Sequence, residues 1–469
     1  MLYFDLANSD LVRNFMKQKK REERQPVEDI TITDGFERAL AAIDAGDNVF
    51  ITGRAGTGKS TLLRHYCATA EHEPVVLAPT GVAAVNVCGQ TIHSFFGFGP
   101  NVTKHHFPRV QPKDIKRYRA LTTIVIDEIS MVRADLLDCV DVFLRRYGPK
   151  ERRPFGGVQM VFIGDLYQLP PVVTNEERDA LAKQYVTPYF FSAEVFNPQQ
   201  TLLNDALKFS MRLIELPDVF RQRDGVFLSV LNRIRDNTVT QDDLTILNAR
   251  IAAYHHKTAS SGIVLTTTNR RSDTINEEAL THLPGKAHVL HGARQGKFQE
   301  SALPTAEQLS VKRGARVMLL TNDREGRWVN GTLGTIVRID VNDVSDVLTI
   351  ALETGETVRV SRHEWDMYAY KFDEGSGAIS AETIGSFSQF PIRLAWAVTI
   401  HKGQGKTFER VHIDLERGTF APGQLYVALS RATTLEGITL EKPVQRHHAW
   451  TDPHVVKFVT QYQCESKIS

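Results

Sequence analysis

The stretch Gly53-Arg54-Ala55-Gly56-Thr57-Gly58-Lys59-Ser60 constrains this chain more than any other. It follows an apolar, strand-like run from Asn48 to Thr52 and opens directly into a helical one beginning Ser60-Thr61-Leu62-Leu63. Glycines at this spacing let backbone N–H groups wrap a phosphate chain, and the helix N-terminus adds a favourable partial charge. A strand before and a helix after turn the pattern into a nucleotide site. Lys59 is expected on the β- and γ-phosphates of ATP, and the Ser60 hydroxyl on Mg²⁺.

Short runs rich in Val, Ile and Phe continue the theme at Pro74 to Ala78, Thr122 to Ile126 and Val158 to Ile163. A second set lies at Gly262 to Thr267, Ala395 to Thr399 and Val411 to Leu415. Apolar on both faces and separated by helical stretches, they predict parallel sheets covered on both sides, in two α/β units. Between Lys312 and Phe390 the runs are short, β-branched and divided by Gly, Asn and Asp. That spacing predicts a small barrel of antiparallel strands inserted into the second unit. Gly97 to Tyr118 lacks periodicity and is expected to leave the first sheet. The charged run Lys17 to Arg24 reads as a solvated arm, with contact to nucleic-acid phosphates as the sharper alternative.

Two more features belong with the phosphate loop. Ile124-Val125-Ile126 ends in Asp127 and Glu128, and in a P-loop ATPase the first holds magnesium through water while the second polarises the attacking water. Gly164-Asp165-Leu166-Tyr167-Gln168 again ends a buried strand, where Gln168 can reach the γ-phosphate. Arg221 and Arg431, both in the second unit, are candidates for stabilising transition-state charge.

With 469 residues the chain fits roughly three domains of ~150. No run approaches the ~18 apolar residues of a membrane helix, and the start lacks the basic and apolar regions of a secretory signal. Four scattered cysteines argue against a disulfide framework or zinc site and suit a reducing cytoplasm. Lys and Arg total 56 against 55 Asp and Glu, so any nucleic-acid affinity must come from local potential.

In order along the chain, the motifs are Gly53 to Thr61, Ala78 to Ala84 with Thr91 to Phe96, Asp127 to Met131 and Gly164 to Pro171. Val219 to Gln222, Gly314 to Met318 with Asn330 to Gly334, Ala397 to Gly405 and Leu425 to Arg431 complete the series. This set resembles the Pif-one-like (petite-integration-frequency) DNA helicases of the 5′→3′ branch of helicase superfamily one. The resemblance implies an α/β fold of two RecA-like P-loop lobes, with a small insert in the first and an SH3-like β-barrel insert in the second. The implied boundaries are an arm over 1–33, lobe one over 34–200 with a wedge insert at 97–118, and lobe two over 201–311 and 391–445. The SH3-like insert takes 312–390, and a short tail takes 446–469.

By the same resemblance, Gly53, Gly56, Thr57, Gly58, Lys59, Ser60, Thr61, Gln404 and Gly405 bind the nucleotide, and Ser60 and Asp127 hold the metal. Lys59, Asp127, Glu128, Gln168, Arg221 and Arg431 serve hydrolysis, while Thr80, Gly81, His93, Thr399, His401 and Lys402 touch DNA. Single-stranded and forked DNA are the implied partners, with G-quadruplexes and RNA–DNA hybrids as further candidates. A cytoplasmic protein, monomeric without DNA, is expected. Family roles in repair, recombination, replication and telomere maintenance vary with appendages. One departure stands out: Asp34-Gly35-Phe36-Glu37-Arg38 lacks the upstream Gln that reads adenine in many relatives, leaving loose base specificity or Phe36 packing near the base. A RecD-like helicase of the same branch and a non-motor DNA-binding P-loop ATPase switch are the alternatives.

Overall fold

The structure is a computed structural model that describes residues 30–99, 102–104, 112–173, 175–196, 209–222, 224–251, 262–323, 325–328, 330–341, 346–373 and 378–465. The charged run Lys17 to Arg24 lies outside these, as do residues 100–101 and 105–111 of the stretch expected to leave the first sheet.

The first unit is built on six parallel strands: β1 (Val49–Gly53), β2 (Val75–Ala78), β3 (Gln90–Thr91), β4 (Thr123–Ile126), β5 (Gln159–Ile163) and β6 (Arg212–Leu216). Their spatial order is β3-β2-β4-β5-β1-β6. β1, β2 and β4 are buried along their whole length, as strands covered on both faces must be. Helix α1 (Asp34–Asp44) starts on Thr33, whose Oγ1 accepts from the Phe36 amide, and α2 (Lys59–Thr69) follows the phosphate loop.

β6 departs from the expected boundary at 201. It pairs with β1 over its whole length and belongs to the first sheet. As the edge strand its burial alternates, with Ile214 and Leu216 inward, so it lacks the continuous apolar run of a central strand.

The second unit carries four parallel strands in the order Ala397–Thr399, Ile263–Thr266, Val411–Asp414, Ile438–Leu440. Between the first two in sequence lies a five-stranded antiparallel sheet: Thr357–Ser361, Asp346–Leu352, Leu333–Val341, Arg316–Leu319 and Ile392–Leu394. Val358 and Val360 alternate inward into one core with Leu348, Ile350 and Ile336, continuous with Val264, Ile275 and Ala397 of the second unit. A long hairpin, His363–Asp373 with Ala378–Gln389, pairs with Ala293–Gly296. Antiparallel pairing therefore begins upstream of the expected Lys312, with His288–His291 against Gln308–Val311. His288–His291 is exposed but for Leu290 and Ala293–Gly296 is exposed throughout, while Gln308–Val311 alternates with Leu309 and Val311 inward.

The stretch expected as a tail is a helix, Pro453–Glu465, that returns to the first unit. Val455 and Val459 are buried in that unit's core, and the Phe458 ring stacks on Phe191 at 4.3 Å between centroids. The spacing of Val455, Phe458 and Val459 is helical and was the available signal. Among the described residues, no helix is long and apolar enough to cross a membrane.

Candidate nucleotide site and nucleic-acid interface

β1 delivers the phosphate loop at its carboxyl end, and Gly58, at φ +82°, caps α2 in a left-handed conformation suited to glycine. Gly56 has a second reason to lack a side chain: a Cβ there would come within 2.4 Å of the Arg221 Cβ. The loop is thus packed directly against the segment that leaves β6. Lys59 Nζ donates to the Gly53 and Arg54 carbonyls at 2.7 and 3.0 Å. Burial lowers the Lys59 pKa against the opposing influence of Asp165 and Glu128.

A cleft of about 840 Å³ opens over this loop. Gly56, Thr57, Gly58, Lys59, Ser60, Thr61, Glu128 and Gln168 line it from the first unit, and Gly405 and Arg431 from the second. Arg221, on the connecting segment, lines it too. Gly53 lies beneath, its carbonyl engaged by Lys59. Ile30, Thr31, Phe36 and Phe220 also line it, the two rings lying beside Gly58.

Asp127 and Glu128 follow β4 directly. Burial and the neighbouring Glu128 push the Asp127 carboxyl up to about 7, and burial also raises Glu128, opposed by Lys59 and Arg431. Glu128 adopts a left-handed backbone at φ +50°, a conformation uncommon outside glycine. Across the cleft Gln404 Nε2 donates to Glu128 Oε2 at 3.2 Å. Gln168 donates to Asp165 Oδ2 at 3.1 Å.

The arginines face the cleft but are engaged by their own surroundings. Arg221 donates to the carbonyls of Ser430 and Gly405 at 3.3 and 3.2 Å. Arg431 is 1% exposed and donates to the Val427 and Lys406 carbonyls and to Ser430 Oγ. Burial and nearby Arg221 push Arg431 down to about 9.

The residues expected at DNA occupy strand ends. Thr80 Oγ1 accepts from the Ala83 amide at the start of the helix Gly81–Asn86. A Cβ on Gly81 would meet Ala302 of the second unit at 2.6 Å, so this point is covered. His93 is half-buried in the helix Ile92–Phe96, its pKa lowered by burial and then by Arg133. Thr399 is 4% exposed, and its Oγ1 accepts from the Lys402 amide, so it shapes the loop that carries exposed Lys402. His401 lies 6.4 Å from Phe420, nearly parallel to it.

Sequence reasoning missed three participants. Tyr426 Oη accepts from the Ala55 amide at 2.9 Å, joining a second-unit helix to the phosphate loop. Asp165 organises Gln168, and Arg235 approaches Asp165 at 3.7 Å. Tyr426 and Asp165 sit within the motifs singled out, whereas nothing in its local pattern marks Arg235.

The family model for PIF1-like helicase matches residues 32–244. The chain is 32% identical over 449 residues to ATP-dependent DNA helicase Pif1 of Bdellovibrio bacteriovorus, covering 93% of this chain and 94% of that one. Against ATP-dependent DNA helicase PIF1 of Homo sapiens it is 33% identical over 416 residues, which is 85% of this chain and 59% of the relative. The solved structure of Bacteroides sp. Pif1 in complex with ADP-AlF4 superposes with a TM-score of 0.83 at 35% identity, over 93% of this chain and 98% of that one. Bacteroides Pif1 bound to ssDNA, at 36% identity and the same coverage, superposes with a TM-score of 0.66.

Proposed function

The chain belongs to the PIF1-like helicase family and is an ATP-dependent DNA helicase, and we propose that it moves 5′→3′ on single-stranded DNA, opening duplex or structured DNA ahead of it. One observation carries this reading: the nucleotide cleft is lined by residues of both α/β units, with Gln404 of the second holding Glu128 of the first. Nucleotide turnover in such a cleft has to act on the relation between the units, which a non-motor switch would not require.

Lys59 holds the β- and γ-phosphates, Glu128 polarises the attacking water, and Gln168 registers the γ-phosphate. Arg221 and Arg431 exchange their neutral acceptors for phosphate oxygens, because a phosphate adds an opposite charge and a bidentate geometry that a neutral oxygen lacks. Mg²⁺ fits the donors present. Ser60 and Glu128 line the cleft and Asp127 adjoins Glu128 at the end of β4, so a hydroxyl and two carboxyl groups would offer hard oxygen ligands. When bound, the ion screens the phosphate oxygens.

The two units are read as RecA-like lobes, the first including β6 and the C-terminal helix, and the antiparallel sheet as an SH3-like insert in the second. Thr80, Gly81, His93, Thr399, His401 and Lys402 grip the strand. The contact of Ala302 with Gly81, and the lower superposition on the ssDNA-bound relative, support a DNA entry that displaces the second unit's inserted region. The protein acts in the cytoplasm, as a monomer until DNA binds.

Strand displacement on 5′-tailed, 3′-tailed and quadruplex-bearing duplexes, measured side by side, tests the reading. ATP-dependent opening of the 5′-tailed substrate is expected. Absence of displacement on either polarity, with folded protein, would return the chain to an ATP-driven switch.

A further inference from the structure

Arg235 ends the second-unit helix Gly225–Arg235 and is 5% exposed, yet its guanidinium reaches first-unit residues. It lies 3.9 Å over the centre of the Tyr167 ring, with Nη2 3.7 Å from Asp165 and 3.9 Å from Glu215. Asp165 divides its oxygens. Oδ1 faces Arg235 and accepts from the Tyr167 amide at 3.2 Å, while Oδ2 accepts from Gln168 Nε2 at 3.1 Å. The guanidinium's hydrogen bond to Asp236 is long, at 3.5 Å, and its Nε has no hydrogen-bond partner among the described residues. Charge and stacking therefore hold this buried group, rather than a saturated set of its five donors. Its backbone is tied as well: Thr451 Oγ1 donates to the Arg235 carbonyl at 2.8 Å, two residues before the helix Pro453–Glu465 that packs on the first unit. Arg235 thus sits where the chain crosses back between the units.

We propose that Arg235 is a positioning residue for ATP hydrolysis, acting through Asp165 to orient Gln168 according to where the second unit stands. Asp165 is 1% exposed, and it is the carboxylate that acts most strongly on Lys59. Without Arg235 the buried Asp165 charge would lose its cationic partner, and the orientation it gives Gln168 would no longer be fixed. With Arg235 in place, one Asp165 oxygen faces the guanidinium and the other is committed to Gln168. Movement of the second unit shifts the guanidinium over Tyr167, and with it the group that registers the γ-phosphate.

This inference rests on the reading of the cleft given above, and the test separates the two. Arg235→Gln, Arg235→Lys, Asp165→Asn and the Arg235→Gln/Asp165→Asn double variant are compared for basal and ssDNA-stimulated ATP hydrolysis, with folding followed by circular dichroism. Arg235→Gln is expected to lower stimulated kcat by about 10- to 100-fold, the scale of a misplaced catalytic group. Basal hydrolysis and the KM for ATP should change far less, so the stimulation ratio falls. The double variant should be no worse than the poorer single one. An unchanged ratio in Arg235→Gln, or losses that multiply in the double variant, overturns the proposal. If Arg235→Gln does not fold, Arg235→Lys decides: it keeps the charge but loses the planar group over Tyr167, and an unchanged ratio counts against the role. A native chain without ssDNA-stimulated hydrolysis would remove the functional reading itself. A stimulated native chain with unaffected Arg235 variants removes only this inference.

Discussion

Gln404 of the second unit donates to Glu128 of the first across 3.2 Å, at a glutamate already held in a left-handed backbone conformation. The contact fixes the orientation of the carboxylate proposed to polarise water. Gln404→Ala is expected to lower ssDNA-stimulated kcat by about 10- to 100-fold with little change in nucleotide affinity. Gln404→Glu should do more, because a second carboxylate raises the Glu128 pKa further and moves the rising limb of the pH–rate profile to higher pH. Phosphate release measured across pH checks both. Wild-type turnover in Gln404→Ala would show that the contact is incidental.

The nucleotide half of the site was legible because each of its motifs ends a buried strand. β1, β4 and β5 are continuous apolar runs, and the polar residues that follow them stand out by contrast. β6 was placed in the second unit and the C-terminal helix was read as a tail, since their apolar residues show that they pack but not against what. Arg235 was illegible for a related reason. Its role comes from meeting Asp165, seventy residues earlier in the chain, and one arginine at a helix end is ordinarily a solvated residue. Ala293–Gly296 is exposed throughout and His288–His291 buries only Leu290, so neither four-residue strand carries enough alternation to announce it.

Gly81 and Ala302 meet so closely that cysteines at both positions can be bridged after a shift of about 1 Å, given the usual ~3.8 Å Cβ spacing of a disulfide. The hairpin strand His363–Asp373 also lies against the first-unit helices Gly81–Asn86, Ile92–Phe96 and Pro112–Arg119. Oxidised Gly81→Cys/Ala302→Cys protein is therefore expected to bind single-stranded DNA more than about tenfold more weakly than the same protein reduced. A competent state held below a tenth of the population reduces affinity by that factor. Fluorescence anisotropy with and without dithiothreitol reads the effect. Equal affinities would mean that DNA reaches its path without displacing this contact.

Asp138, on the helix Ala134–Tyr147, is 1% exposed and accepts from Tyr185 Oη at 2.7 Å and the Glu194 amide at 2.8 Å. Burial raises its carboxyl to about 6 despite those two bonds. Between the unfolded value near 3.9 and this folded value the native state binds the proton more tightly, so the group's contribution to stability falls as pH rises through that window. Asp138→Asn removes the dependence. It is expected to exceed the native chain by roughly 1–3 kcal/mol at pH 8, with no advantage at pH 4. Urea unfolding at the two pH values tests this, and a less stable variant at pH 8 would mean the two hydrogen bonds outweigh burial.

Phe36 is 2% exposed, and a Cβ on Gly58 would lie 2.9 Å from its ring, so an aromatic face lines the cleft beside the phosphate loop, and the stretch Asp34 to Arg38 offers no glutamine to read a base. Ile30 and Phe220 add further apolar surface there. Apolar contact favours any planar base, whereas strong discrimination requires polar groups that would be left unpaired by the wrong one. Hydrolysis of GTP and CTP is therefore expected within about a hundredfold of ATP in kcat/KM, the most that an apolar pocket ordinarily discriminates between similar groups. Phe36→Gln should not simply restore adenine preference, because it removes a ring packed on the phosphate loop and is expected to raise the KM for every nucleotide. Steady-state hydrolysis of the four nucleoside triphosphates by both proteins distinguishes the cases. Rejection of GTP and CTP by a factor beyond ~10⁴ would require a base-reading polar group in this part of the cleft, and would overturn the assignment of Phe36.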